Sequence, residues 1–200
     1  GDFIFRTVPS DANPAAFGAA LVYKKGYKKL AVLYSNEEYG IGFNEVLNEE
    51  FLKLGGKIVA SEAIERGSVD LRTQLTKIKN SKADAIYIIS NSPDSSVAAL
   101  KQIKELGIKA AIFGSEGLKS QAIIDGAGKA ADNMILTSVT SGNIGFITKY
   151  KQKYNAEPGQ FAAQAHDAFK SVALAIKDGA KTGAEIKSKF YTVTFDGAAG

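Results

Sequence analysis

Glu116 lies in the run Gly114-Ser115-Glu116-Gly117, a carboxylate between small residues that can accept a charge-assisted hydrogen bond from a cationic group. Tyr39, in Glu38-Tyr39-Gly40, offers a hydroxyl and an apolar ring wall, or a ring that simply covers the adjacent helix. Ser90-Asn91-Ser92 supplies small polar groups, and Asp11 with Arg6 supplies charges that either support a ligand or pair with one another. His166 is the only histidine, and Asp167 follows it directly. Adjacent helical side chains point about 100° apart, so a relay would need a nucleophile as well, and a metal would need further ligands. His166 reads as a surface or packed side chain. Gly40-Ile41-Gly42 lacks the third glycine of a dinucleotide loop, and no phosphate-loop, nucleophile-elbow or zinc-helix pattern occurs. The carboxylate pairs Glu37-Glu38 and Glu49-Glu50 are sequence neighbours that diverge, which suits solvated faces rather than acid/base work. With no cysteine, thiol nucleophiles, disulfides and thiolate-bound metals are excluded. The residues point to capture without catalysis, with no cofactor and no metal.

The elements that must position these residues alternate. Apolar runs at 29–35, 57–63, 84–90, 110–115 and 133–139 read as strands. Between them lie helices at 41–54, with Phe43, Val46, Leu47, Phe51 and Leu54 at helical spacing, at 71–80, from Ser92-Pro93 to Gly107, and at 118–126. Residues 36–40, NEEYG, read as a loop. This order predicts an α/β fold with a doubly wound parallel sheet, flavodoxin-like or Rossmann-like. Ligands of such sheets gather beyond the carboxyl ends of the strands, here residues 35–40, 90–94 and 115–118. Tyr39, Ser90, Asn91, Glu116 and Gly117 all fall in those stretches. After residue 140 the pattern changes to helices at 144–154, 160–178 and 182–190 and a strand at 191–195. One strand cannot cover three helices, so this part is expected to belong to a second lobe whose sheet lies largely elsewhere.

The chain has 200 residues and a formal charge of +4, and its lysines are scattered along helices rather than gathered on one face. Nucleic acid is not an expected partner. Its apolar stretches are too short to span a bilayer, so direct membrane insertion is not expected either. No charged and apolar leader opens the chain, and any signal peptide is expected to have been removed or never included.

Several segments carry a resemblance. They are Phe3-Ile4-Phe5-Arg6-Thr7 with Pro9-Ser10-Asp11, Val32-Leu33-Tyr34 with Glu38-Tyr39-Gly40, and Asp70-Leu71 with Gln74-Leu75-Ile78. Ala83-Asp84-Ala85-Ile86-Tyr87, Gly114-Ser115-Glu116-Gly117, His166-Asp167-Ala168 and Phe195-Asp196-Gly197 complete the set, in order along the chain. Together they resemble the type I periplasmic solute-binding proteins of the branched-chain amino-acid (Leu/Ile/Val) ABC transporter family. The resemblance implies an extracytoplasmic receptor that closes two hinged lobes on an amino acid or related carboxylate. It implies residues 1–140 as the second-lobe domain and 141–200 as a return segment of the other lobe, in a chain shortened at the family's opening segment. It also implies Glu116 as the partner of the ligand's ammonium, with Tyr39, Ser90, Asn91, Gly117 and Asp11 around it. Asn91 stands where some relatives carry an aromatic residue, which leaves room for a polar or larger ligand side chain. ABC permease subunits are the implied partners of the full-length protein, in the periplasm or otherwise outside the cytoplasm. Three other readings stay open: a ligand-sensing domain of a signalling receptor, a nucleotide-using Rossmann-type enzyme, and a purely structural or interaction domain.

Overall fold

Strand Lys29–Ser35 (β1) alternates its side chains between two faces, as a period of two requires. Leu30 and Val32 join one apolar cluster, while Ala31 and Leu33 join the other. Strand Ala85–Ile89 (β3, numbered in chain order) does the same, with Tyr87 and Ile89 on the first face and Ile86 and Ile88 on the second. A strand buried on both faces must be covered by helices on both, which is the doubly wound arrangement. The computed structural model, which describes residues 3–199, has that arrangement. The other strands are Lys57–Ile64 (β2), Ala111–Gly114 (β4) and Ile135–Leu136 (β5). Among the described residues they form one parallel sheet in the order β2-β1-β3-β4-β5.

Helices Ala12–Lys24 (α1) and Glu38–Lys53 (α2) cover the first face, where Phe43, Leu47 and Phe51 pack on Leu30, Val32 and Tyr87. Helices Arg72–Asn80 (α3), Pro93–Glu105 (α4) and Gln121–Ala127 (α5) cover the second, with Leu75, Ile78, Leu100, Ile103 and Ile123 buried. Burying one such side chain contributes roughly 1.5–3 kcal/mol, so the two clusters hold the sheet between them. The spacing of large apolar residues did not reveal α1, whose buried stripe is Ala15, Gly18, Ala19 and Val22. Those small side chains let α1 lie close to β3: a Cβ at Gly18 would stand 2.5 Å from the Tyr87 hydroxyl oxygen.

The chain divides into two compact units, one of Ser10–Ser138 and one of the first nine residues with Val139 onward. The sheet and its five helices make up the former. The latter carries helices Ile144–Tyr154 (α6), Ala162–Lys177 (α7) and Gly183–Phe190 (α8). Thr182 and Glu185 cap α8 reciprocally, each side chain satisfying an otherwise free backbone N–H. Phe5 packs edge to face on Phe190 and Tyr191.

Two expectations need correction. Residues 191–195 form no strand, because a strand needs a neighbouring ladder and none pairs with them among the described residues. Their first amides fold back instead, Thr192 and Val193 both donating to the Lys189 carbonyl at 2.9 Å. Helix α2 begins at Glu38 rather than residue 41, so Tyr39 and Gly40 belong to its first turn and not to a loop. Among the described residues no helix is long and apolar enough to cross a membrane.

Candidate functional site

In the order β2-β1-β3-β4-β5 the direction of winding reverses between β1 and β3, which opens a crevice beyond their carboxyl ends. The residues that follow three strands face it: 36–39 after β1, where α2 begins, 90–92 after β3, and 115–117 after β4, where a short 3-10 turn begins. Glycines set how closely these turns approach. A Cβ at Gly40 would fall 2.0 Å from the Ser35 carbonyl oxygen, so α2 starts hard against the end of β1. A Cβ at Gly117 would fall 2.2 Å from the Ser90 carbonyl oxygen, so the turn after β4 lies against the end of β3. The Ser115 N–H extends that pairing by donating to the Ile88 carbonyl at 3.0 Å.

These approaches bring Tyr39 and Glu116 together. Their strands lie on either side of β3, roughly 10 Å apart at ordinary strand spacing, and the tyrosine is long enough to bridge the gap. Its hydroxyl donates to Glu116 Oε1 at 2.7 Å. Glu116 is buried, only 8% exposed, and its Oε2 is buried without a hydrogen-bond partner. Burial pushes the Glu116 carboxyl above the ordinary carboxylate range. The Tyr39 hydroxyl and the residue's own backbone amide oppose that rise, while the charge of Asp11 adds to it. Burial also pushes the Tyr39 phenol up, reinforced by the Glu116 carboxylate and opposed by the nearby Ser115 hydroxyl, so Tyr39 keeps the proton it donates.

The remaining expected residues fall around this pair with different roles. Gly117 supplies the close approach just described. Ser90 is fully buried, and its hydroxyl is engaged in its own turn, accepting from the Ser92 N–H at 3.1 Å. Asn91 is exposed at the end of β3. Asp11 stands at the start of α1, makes no side-chain capping bond, and acts on Glu116 and Tyr39 through its charge. Ser35 lay inside the expected stretch 35–40 but was not singled out. Its hydroxyl, at the end of β1 beneath Gly40, is buried without a partner, and its only sequence signal was a small polar residue closing an apolar run.

His166 and Asp167 lie in the other unit, with His166 Nδ1 3.0 Å from Asp167 Oδ1 and its ring against Phe146. The Ala198 and Ala199 amides already donate to the two Asp167 oxygens. Burial alone would push this carboxyl up, but those amides and His166 outweigh it and hold it below the usual carboxylate range. That makes Asp167 an anchor rather than a base. Among the described residues no group of three or more His, Cys, Asp or Glu is placed to hold a metal ion. A groove of about 480 Å³ runs over Val97, Ala98, Ala122 and Gly126, but neither Tyr39 nor Glu116 lines it.

A family model described as "Periplasmic binding protein" matches residues 1–200. The leucine-, isoleucine-, valine-, threonine- and alanine-binding protein of Pseudomonas aeruginosa is 26% identical over 181 residues, which cover 87% of this chain and 48% of that protein. The crystal structure of a leucine-binding protein from Thermotoga maritima superposes with a TM-score of 0.85 at 26% identity, over 95% of this chain and 57% of that one. A branched-chain amino acid transporter substrate-binding protein of Streptococcus pneumoniae, solved with isoleucine, gives a TM-score of 0.80 at 29% identity, over 96% and 57%. The chain therefore spans about half the length of these relatives.

Proposed function

This chain belongs to the periplasmic binding protein family, and we propose on that premise that it captures an amino acid for an ABC importer without changing it. The observation that carries the reading is Glu116, a buried carboxylate with one oxygen held by Tyr39 and the other without a partner, at the carboxyl edge of the sheet. An ammonium group has three donors and a full charge to offer that second oxygen. Partial burial makes such a bond stronger than it would be in water. Oε1 is already fixed by Tyr39, so the carboxylate does not have to be ordered when a ligand arrives. A phenol and a carboxylate bonded to each other form a cation-binding pair, and the relatives are named as binding proteins.

The branched-chain preference rests on those relatives, one binding leucine, isoleucine, valine, threonine and alanine by name, another solved with isoleucine. Asn91 is small, polar and exposed beside the Gly117 turn, which leaves room for the ligand's side chain. Ser10–Ser138 is then one lobe, and the helices of the other unit belong to the second. Closure of the lobes is selected by contacts that only the closed form makes with the ligand, and permease subunits outside the cytoplasm read that difference.

The test is calorimetry on the protein expressed from its whole reading frame. Glu116→Gln should weaken L-leucine or L-isoleucine binding by about 1.5–3 kcal/mol, the scale of a hydrogen bond to a charged group. Unchanged affinity would remove Glu116 from the site.

A further inference from the structure

The backbone passes between the two units after Pro9 and again after Ser138. The residues flanking both passages, and the chain's last described residues, are tied to one turn of α7. Gln164 and Asp167 are three apart and so lie on one helix face. The Gln164 carbonyl accepts from the Thr7 hydroxyl at 3.2 Å, and its side-chain amide donates to the Thr140 carbonyl at 3.4 Å. Asp167 accepts from two successive backbone amides, Ala198 at 2.7 Å and Ala199 at 2.8 Å. Consecutive N–H groups aimed at one carboxylate form an anion nest, and such charge-assisted bonds are the strong ones.

Asn143 ties two of the three segments to each other. Its N–H donates to the Ala198 carbonyl at 2.7 Å, and its side-chain amide donates to the Gly197 carbonyl at 2.9 Å. Its side-chain oxygen meanwhile caps α6 by accepting from the Phe146 N–H at 2.9 Å. Gly142 makes room for this crossing. Its φ is +116°, and a Cβ there would stand 2.7 Å from the Phe146 ring, 3.1 Å from Ala163 Cβ and 3.2 Å from the Ala198 carbonyl oxygen. Asp167, Gln164 and Ala163 are all buried. Helix α7 needs none of the Gln164 and Asp167 bonds for its own stability, because each joins it to a different stretch of chain.

We propose that the Gln164–Asp167 turn of α7 is a polar clasp that fixes residues 7, 140–143 and 197–199 to one another. It anchors both inter-unit passages on the same unit, so that bending is confined to the residues beyond it. Asp167 is a positioning residue in this device. It acts whatever ligand the Ser10–Ser138 unit takes.

The test compares wild type with Asp167→Asn, which keeps the side chain's size but turns an NH2 toward one of the two amides. In hydrogen exchange on the protein expressed from its whole reading frame, peptides covering 139–143 and 197–199 should exchange about tenfold faster or more. Peptides from β1 and β3 should keep their wild-type rates. Spin labels on cysteines introduced at Lys101 and Lys149 should show a broader distance distribution in the variant. Unchanged exchange at 197–199, equal acceleration in β1 and β3, or an unbroadened distribution would each overturn the proposal. If the Asn variant does not fold, Thr7→Val removes one part-buried hydroxyl bond only. It too must broaden the distribution, and failure to do so counts against the clasp.

Discussion

A buried carboxylate with one oxygen lacking a partner works against folding, since burial favours its neutral form. Between the ordinary value of 4.5 and the raised value of Glu116, the folded chain keeps a proton that the unfolded chain releases. Stability therefore falls as pH rises through that window, and the loss is complete above it. Glu116→Gln removes this penalty while weakening the ligand's ammonium contact. Ligand-free Glu116→Gln should thus melt above wild type at neutral pH, with the advantage vanishing below pH 4.5. A melt below wild type at neutral pH would mean that Glu116 is satisfied in the free protein. Asp167 runs the opposite way, because its carboxyl is held low. Its stabilisation is present above the ordinary 3.8 and is lost as pH falls through its depressed value. Asp167→Asn should therefore lower the melting temperature at neutral pH, and the gap to wild type should close in strong acid. A gap that persists unchanged into strong acid would show that its charge is not what matters. Glu116 and Gly117 were legible as candidates from their turn. Their geometry was not, because the bond to Tyr39 depends on three strands settling side by side and on two glycine contacts that no local pattern encodes.

Elements were legible where large side chains carried the period. Phe43, Leu47 and Phe51 marked α2, and the continuous apolar run of β3 marked a strand covered on both faces. Helix α1 carried its period in Ala15, Gly18 and Ala19, whose small size hid the signal and is also what lets the helix approach Tyr87. Gly18→Val should therefore cost about 1–3 kcal/mol in urea unfolding, as overpacking usually does. A gain, such as replacing a helical glycine often brings, would mean that α1 can move off the sheet. Tyr87 has little freedom to yield, since it is fully buried and its hydroxyl pairs with Thr137 at 2.7 Å. Residues 191–195 failed for the complementary reason. Thr, Val and Phe fit a pleated surface, but strand preference is realised only against a neighbour, and no described strand lies beside them.

At the scale of the whole molecule, the chain pairs a five-stranded α/β layer with a unit of helices that has no sheet among the described residues. That asymmetry was readable from the sequence as a surplus of helices over strands. Half of a relative's length is enough to show the family. Under the proposed function, Glu116 captures a zwitterion through its ammonium group. Thermal-shift titration of the protein expressed from its whole reading frame tests it directly, using the twenty amino acids beside the matching acids that lack the amino group. Stabilisation grows as RT ln(1 + [L]/Kd), so even modest binders register. At least one amino acid, with leucine and isoleucine foremost, should raise the melting temperature while its deaminated counterpart does not. Equal shifts from the deaminated acid, or no shift from any amino acid, would contradict the claim.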